Sequence, residues 1–93
     1  MSSVQRSRVL TVKNKLGLHA RAAAIFVRLS NKFSSDIHLL KDGYSVDGKS
    51  ILGVLSLAAA KGTKIEVVAK GEDADDAISE IEKLVDSGFG EGS

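Results

Sequence analysis

The 93-residue sequence contains no cysteine, no proline and no tryptophan. Without cysteine, neither disulfide bonds nor thiolate metal sites can form, and the composition leaves the redox compartment open. The two histidines, His19 and His38, are far apart in the chain, which gives little support to a histidine metal site, and we expect no metal. The aromatic residues are Phe26, Phe33, Tyr44 and Phe89. They form no interleaved stacking platform, so we expect no nucleic-acid binding.

Long apolar runs are also missing. The segment 1–8 lacks the apolar core of a signal peptide, and no stretch approaches the length of a membrane span. We therefore expect a cytoplasmic protein without membrane insertion. A chain of this length can build one two-layer core but not two. The sequence thus predicts a single domain, residues 1–93, with an ordered core of about residues 8–88.

Charge is nearly balanced in total but not along the chain. The formal net charge is +1, yet residues 1–46 hold eight lysines and arginines against two acidic residues. Residues 47–93 hold five basic residues against ten acidic ones. The basic half includes His19, so we expect an acidic partner or a phosphate to be drawn toward that end of the molecule.

Hydrophobic periodicity gives the order of the elements. Apolar residues alternate with polar ones, as in strands, over residues 8–13, 36–41, 44–47 and 64–70. Helical spacing appears over residues 20–31, over residues 50–58 before the stop signal Lys61-Gly62, and between an N-cap at Asp73 and a stop at Gly88. The order βαββαβα predicts an α+β open-faced sandwich, with a four-stranded antiparallel sheet and three helices on one face.

Smaller features follow from the same periodicity. The core stripe of the first helix is predicted to consist of Ala23, Phe26, Val27 and Ser30. In the strand 36–41 the alternation turns His38 away from the core, toward solvent. The glycine-rich tail 89–93 is predicted to be frayed.

Residues 17–24 read Gly-Leu-His-Ala-Arg-Ala-Ala-Ala, which places His19 at the first turn of an amphipathic helix with Arg21 two residues later. A neutral imidazole at a helix start can accept a phosphoryl group, because the free backbone N–H groups of the first turn then face the phosphate. The helix dipole and Arg21 both favour a dianion there. We interpret His19 as a phosphorylation site and Arg21 as its phosphate clamp. The alternatives are a helix cap or a solvated surface histidine.

The two residues before His19 suit this role. Gly17 permits a tight backbone approach, and Leu18 can anchor the loop while His19 points outward.

Residues 43–50 match GxxxxGK[ST], the phosphate-binding loop of many nucleotide hydrolases. Against this interpretation, residues 44–47 are predicted to form a strand, and no apolar strand ending in aspartate follows to hold magnesium. The alternative is an accidental match in a hairpin, with Lys49 as an ordinary surface residue.

The helix that follows Ser50 is apolar nearly all round, through Ile51, Leu52, Val54, Leu55 and Leu57. A short helix in a two-layer domain can bury only one side, so Leu52 and Leu55 are expected to stay partly exposed. We interpret them as a docking patch beside His19, which Ala24 and Arg28 of the first helix would extend with a basic rim. The alternative is a deeply buried helix.

These residues resemble one family closely. The segments that carry the resemblance are Leu16-Gly17-Leu18-His19-Ala20-Arg21, then Lys49-Ser50-Ile51-Leu52-Gly53-Val54, then Ala60-Lys61-Gly62. They are similar, in order and separation, to HPr, the histidine-containing phosphocarrier of the bacterial phosphotransferase system, over about residues 9–88. The segments 14–17 and 86–89 also resemble the nitrogen-branch relatives of HPr.

The resemblance implies a stoichiometric phosphocarrier that needs no cofactor of its own, rather than a turnover enzyme. His19 would take phosphate on Nδ1 from phospho-enzyme I and pass it to a downstream carrier domain. Ser50 matches a position that a dedicated serine kinase phosphorylates, and a phosphorylase would reverse this. The implied state is a monomer. An alternative is a regulatory, nitrogen-branch type of protein that controls partners through its phosphorylation state without sugar transport.

The chain departs from the family pattern at Ala22, where the family usually has proline. Alanine keeps helix propensity, allows more backbone freedom and restores an N–H group. We expect the site to survive this change, which bears instead on partner preference and on the rigidity of the His19 loop.

Overall fold

The computed structural model describes residues 4–90. Four strands and three helices follow one another as β1 (Gln5–Thr11), α1 (Ala20–Ser30), β2 (Asp36–Lys41), β3 (Tyr44–Asp47), α2 (Ile51–Ser56), β4 (Lys64–Lys70) and α3 (Ala74–Asp86). The strands pair antiparallel in the order β1-β4-β2-β3. The predicted open-faced sandwich is confirmed.

The core lies between the sheet and the helices. The central strands contribute Ile37 and Leu39 from β2 and Ile65, Val67 and Ala69 from β4, all buried. The register sets Leu39 opposite Val67 and Leu10 opposite Ile65, so these side chains share the helix-covered face. The helices complete the core mainly with Ala22, Ala23 and Phe26 of α1, Val54 of α2, and Ala77, Ile78, Ile81 and Val85 of α3. The predicted α1 stripe is confirmed except that Val27 is half-buried and Ala22 is fully buried.

Strand β1 begins three residues earlier than predicted and ends two earlier. Arg6 and Arg8 occupy positions on the same face of the strand as Leu10, and arginine there hides the apolar pattern of a strand. Both side chains reach α3: Arg6 Nε lies 2.6 Å from Asp75 Oδ1, and Arg8 pairs with Glu82. Polar contacts to a neighbouring helix thus replace apolar burial at the start of β1.

Helix α2 is shorter than the predicted 50–58, and it ends before the predicted stop at Lys61-Gly62. The helix ends at Ser56, and Ala58 adopts a left-handed backbone with φ of 49°. The Lys41 ammonium of β2 donates to the Leu57 carbonyl at 2.9 Å, which satisfies a carbonyl that the helix end leaves free.

Asp73 precedes α3 as predicted, but its carboxylate forms no cap hydrogen bond to that helix. It accepts instead from the loop before β2: the backbone N–H groups of Ser34 and Ser35 both donate at 2.9 Å, and both hydroxyls donate as well. These bonds, above all the Ser35 hydroxyl and then the Ser34 N–H, lower the pKa of Asp73 to about 2. Asp73 therefore fastens the α1–β2 loop to the start of α3.

The predicted fraying of the tail is wrong for Phe89. Its side chain is 4% exposed, and the chain turns at Gly88–Gly90 with a Phe89 φ of 58°. Residues 91–93 lie outside the described part of the chain.

Across residues 4–90, none of the helices combines the length and the apolarity that crossing a bilayer requires.

The Asp73 contacts predict a defined pH dependence of stability. A carboxyl whose pKa is lowered by folding stabilises the native state above its unfolded pKa of about 3.9 and loses that contribution as the pH falls through about 2. We expect Asp73→Asn to lower the free energy of unfolding at about pH 6, and the gap to wild type to close toward about pH 2. Urea unfolding at several pH values measures this. Asp76→Asn, an exposed site on the same helix, is the matched control; a gap of equal size at both ends of the range would contradict the assignment.

Candidate functional site

His19 is the N-cap of α1. Its backbone is extended, with φ of −76° and ψ of −179°, and its carbonyl accepts from Ala23 N–H at 2.8 Å. The ring atom Nδ1 accepts from Arg21 N–H at 3.3 Å. An accepting ring nitrogen carries a lone pair and no proton. Nδ1 of the half-buried His19 side chain is therefore both the helix cap and the candidate nucleophile. The sequence left these two roles as alternatives.

The loop before His19 is fastened by Asn14, which is fully buried. The side-chain NH2 of Asn14 donates to the Gly17 carbonyl at 2.7 Å, and the backbone carbonyl of Asn14 accepts from Gly17 N–H at 3.1 Å. The two bonds close a tight turn over residues 14–17. Sequence reasoning noted Asn14 only as part of a family resemblance; a polar residue three positions before a glycine is a typical turn signal that could have indicated its role.

Gly17 and Leu18 seat this turn on the loop that follows α2. Gly17 has a φ of +67°, and a Cβ there would lie 2.4 Å from the Ala59 carbonyl oxygen. Leu18 N–H donates to the same oxygen at 2.9 Å, and the Leu18 side chain is 5% exposed. The predicted roles of a close backbone approach at Gly17 and an anchor at Leu18 agree with this geometry. Only glycine fits here, since both the φ and the contact exclude a side chain.

Arg21 stands on the first turn of α1 with an exposed side chain. Its guanidinium makes no ion pair within the described range 4–90. The backbone N–H groups of Arg21 and Ala22 belong to the first turn of α1, where no carbonyl of the preceding turn is available to them. An anion bound at Nδ1 would lie next to the Arg21 N–H group, which already points at that atom.

Ser50 caps α2, since its hydroxyl accepts from Gly53 N–H at 3.1 Å. Beyond it Val54 is fully buried, but Leu52 is 76% exposed and Ile51 41%, while Leu55 is half-buried. The deeply buried helix is therefore wrong, and the partial exposure of Leu52 and Leu55 is as predicted.

Helix α1, which begins after His19, packs against α2. On α1, Ala24 is half-buried and Arg28 is exposed.

The match to GxxxxGK[ST] does not form an open loop. Tyr44–Asp47 is a strand, and a Cβ at Gly48 would lie 2.7 Å from the Ile37 side chain. Lys49 is half-buried rather than a surface residue: its ammonium donates to the Phe33 carbonyl at 2.7 Å. A phosphate lysine needs a free ammonium, so this segment has the structure of a hairpin end and not of a nucleotide site.

His38 lies on the uncovered face of the sheet, exposed and in register with Asp47 of β3 and Val68 of β4. Its predicted orientation is confirmed, and the sheet separates it from the helix side of the molecule where His19 lies.

Comparison with known proteins agrees with this geometry. The family described as "PTS HPr component phosphorylation site" matches residues 6–87. The phosphocarrier protein HPr of Neisseria meningitidis is 43% identical over 83 residues, which is 89% of this chain and 93% of that protein. A crystal structure of HPr-C-His from Thermoanaerobacter tengcongensis superimposes with a TM-score of 0.90 at 43% identity, covering 92% of this chain and 97% of that one.

A third similar protein is named HPr-like rather than HPr. The HPr-like protein Crh of Bacillus subtilis is 46% identical over 74 residues, or 80% of this chain and 87% of that protein. A crystal structure of Crh, described as a swapped dimer of a catabolite repression protein, gives a TM-score of 0.73 at 43% identity, over 85% of this chain and 91% of that one.

The matches span nearly the whole chain in both sequence and structure, and they include the helix start with its histidine. The chain belongs to the HPr family, the phosphocarrier proteins of the bacterial phosphotransferase system.

Proposed function

We propose that His19 is the residue that carries the phosphoryl group and that Arg21 clamps it. The observation that carries the proposal is the orientation of His19 Nδ1 toward the first turn of α1. In the forward step the Nδ1 lone pair attacks the phosphorus of phospho-enzyme I. The new N–P bond forms as the bond to the histidine of enzyme I breaks, and the electron pair of that bond returns to the leaving imidazole. The reverse chemistry on a downstream carrier domain empties the site.

The start of α1 stabilises the phosphorylated form. A phosphoryl group on Nδ1 displaces the weak bond from Arg21 N–H and replaces a neutral acceptor with a dianion at the positive end of the helix dipole. Backbone donors fixed by the helix need no reorganisation when the charge arrives. The ring is held in place by the Asn14 turn and by the Ala59 contact of Gly17 and Leu18.

We propose that enzyme I and the carrier domains dock on the surface formed by Ala24 and Arg28 of α1 with Ile51, Leu52 and Leu55 of α2. The support is a large exposed aliphatic residue, Leu52, beside a helix whose exposed arginines have no ion-pair partner in residues 4–90. Such a surface suits a partner that is both acidic and apolar.

Ser50 is the proposed regulatory site. Its hydroxyl caps α2 immediately before Ile51 and Leu52, so a phosphate added there by a serine kinase would sit within the docking surface. The added charge would oppose an acidic partner, although the helix start accepts it electrostatically. A phosphorylase would restore docking.

A regulatory use without sugar transport is the second candidate, and the likeness to Crh favours it. Sugar transport and regulation would both use the same docking surface. An assay of phosphate transfer from His19 to a sugar-specific carrier domain distinguishes the two functions. Crh also has a structure described as a dimer. For this chain a monomer acting in the cytoplasm stays a prediction, as does the effect of Ala22 on partner preference.

His19→Ala is expected to abolish phosphoryl acceptance while the domain still folds, with little loss of stability because the cap bond that it removes is long. Arg21→Ala should slow acceptance without abolishing it, because the helix start still supplies donors. The measurement is the uptake of acid-labile phosphate from phosphoenolpyruvate and enzyme I. His38→Ala is the matched control and should accept phosphate normally; label on a folded His19→Ala protein would disprove the assignment.

Lys49→Ala tests the nucleotide alternative. Because the Lys49 ammonium satisfies the Phe33 carbonyl, its loss should lower the free energy of unfolding by about 1 kcal/mol. Phosphate transfer through His19 should continue largely unchanged. The two measurements are urea unfolding and an ATP titration followed by calorimetry. Tight ATP binding that the substitution removes would revive the phosphate-loop interpretation.

Ser50→Asp is expected to weaken docking to enzyme I by about 1–2 kcal/mol, mostly through the association rate, and the effect should fade with added salt. Stability should stay level or rise slightly, since an anion at a helix start is favourable. The phosphorylation rate of His19 against enzyme I concentration, together with thermal melts, measures both. Ser56→Asp, at the other end of α2, is the control for added charge. If the Ser50→Asp protein is folded and its His19 is phosphorylated at the wild-type rate, Ser50 is only a helix cap and not a regulatory site.

A further inference from the structure

A shallow groove of about 430 Å³ runs between α1 and α3, apart from α2 and its exposed side chains. Its apolar lining comes from Ile25 and Leu29 of α1 and Leu84 of α3, each half-buried. Helical spacing puts Ile25 and Leu29 on one flank of α1. The α3 side of α1 therefore presents an aliphatic strip that neither helix fully covers.

Basic side chains lie on both sides of this aliphatic strip. Arg28 lies in α1, Lys32 follows the C-cap of α1, and Lys83 lies in α3, against one carboxylate, Glu80. Glu80 lies 3.5 Å from Lys83 in an exposed pair, and a pair of that kind contributes little. The groove thus carries a net positive charge around an apolar floor.

Five other basic side chains of the chain bind partners within the molecule. Arg6, Arg8 and Lys13 pair with acidic residues of α3, while Lys41 and Lys49 bind backbone carbonyls. Arg28 and Lys32 form no side-chain ion pair or hydrogen bond with residues in the described range. With Arg21 they place three such cations between the first turn of α1 and the turn that follows the helix.

Helix dipoles account for part of this arrangement, because Arg28 and Lys83 lie in the last turns of their helices. They do not account for the aliphatic strip between the cations. The groove is also open along its length, whereas sites for small molecules enclose most of their ligand. An elongated segment fits it better than a metabolite does.

We propose that the α1–α3 groove is a second docking surface, which binds an acidic amphipathic segment of a partner protein. Aliphatic residues of the segment would cover Ile25, Leu29 and Leu84, and its carboxylates would meet Lys32, Lys83 and Arg28. Charge complementarity is what selects this occupant. The groove borders Arg28, which it shares with the surface proposed for enzyme I, but none of its lining residues comes from α2. The proposal does not depend on phosphorylation of His19.

The test is an NMR titration of the full-length protein with a synthetic helical peptide that has leucines at three- and four-residue spacing and glutamates elsewhere. We expect saturable amide shifts at Ile25, Leu29, Lys32, Lys83 and Leu84, with Ile51 and Leu52 unchanged. The double variant Lys32→Glu/Lys83→Glu should bind about tenfold more weakly. Lys64→Glu/Lys70→Glu, an equal charge change at two exposed positions of the sheet, should bind as wild type does.

Four results would overturn the proposal, three of them from the peptide titrations. These are equal affinity of the two double variants, shifts centred on α2, and equal binding of a scrambled peptide of the same composition. Saturation of the groove by inorganic phosphate alone would also do so, since it would indicate a site for small anions. Phosphate uptake by His19 from enzyme I is measured on both double variants, so that a failure of the groove is distinguished from a failure of the phosphocarrier site.

Discussion

The start of α1, where His19 lies, depends on one backbone contact, between the turn at Gly17–Leu18 and the carbonyl of Ala59. That oxygen accepts from Leu18 N–H and leaves no room for a side chain at position 17. The contact fixes where the chain enters α1, and there the bond from Arg21 N–H to Nδ1 orients the His19 ring. Buried Asn14 holds the other end of the turn. Because the elements concerned are distant in sequence, the site exists only in the folded domain.

The charged side chains of the molecule fall into two groups, those with partners inside the molecule and those without. On the β1 side of α3, Arg6, Arg8 and Lys13 are paired with carboxylates and fasten the edge strand to the helix. The Asp73 carboxylate holds the loop before β2 by accepting hydrogen bonds from the N–H groups of Ser34 and Ser35. Along α1 the cations have no such partners in the described residues, and this difference supports both docking proposals: one surface on the α2 flank of α1, the other on its α3 flank. Exposed pairs contribute little to stability, so the arrangement bears more on binding than on folding.

Much of this could be predicted from the sequence, since strand alternation and helical spacing are local signals. They gave the element order, the burial of Phe26 and Ile37, and the exposure of His38 and Leu52. The start of β1 could not be predicted, because Arg6 and Arg8 take apolar positions and find partners almost seventy residues away or further. Asp73 looked like a helix cap, and only the tertiary structure brings Ser34 and Ser35 to its carboxylate. Phe89 lies in a glycine-rich tail, yet a left-handed turn folds it into the core.

The most direct test of the account is the identity of the phosphorylated nitrogen. The protein is labelled with ¹⁵N-histidine, phosphorylated with phosphoenolpyruvate and enzyme I, and observed for coupling between ³¹P and ¹⁵N. The account predicts coupling to Nδ1 of His19, with large amide shifts at Arg21 and Ala22 as their N–H groups meet the phosphate. Coupling to Nε2, or to either nitrogen of His38, would contradict it.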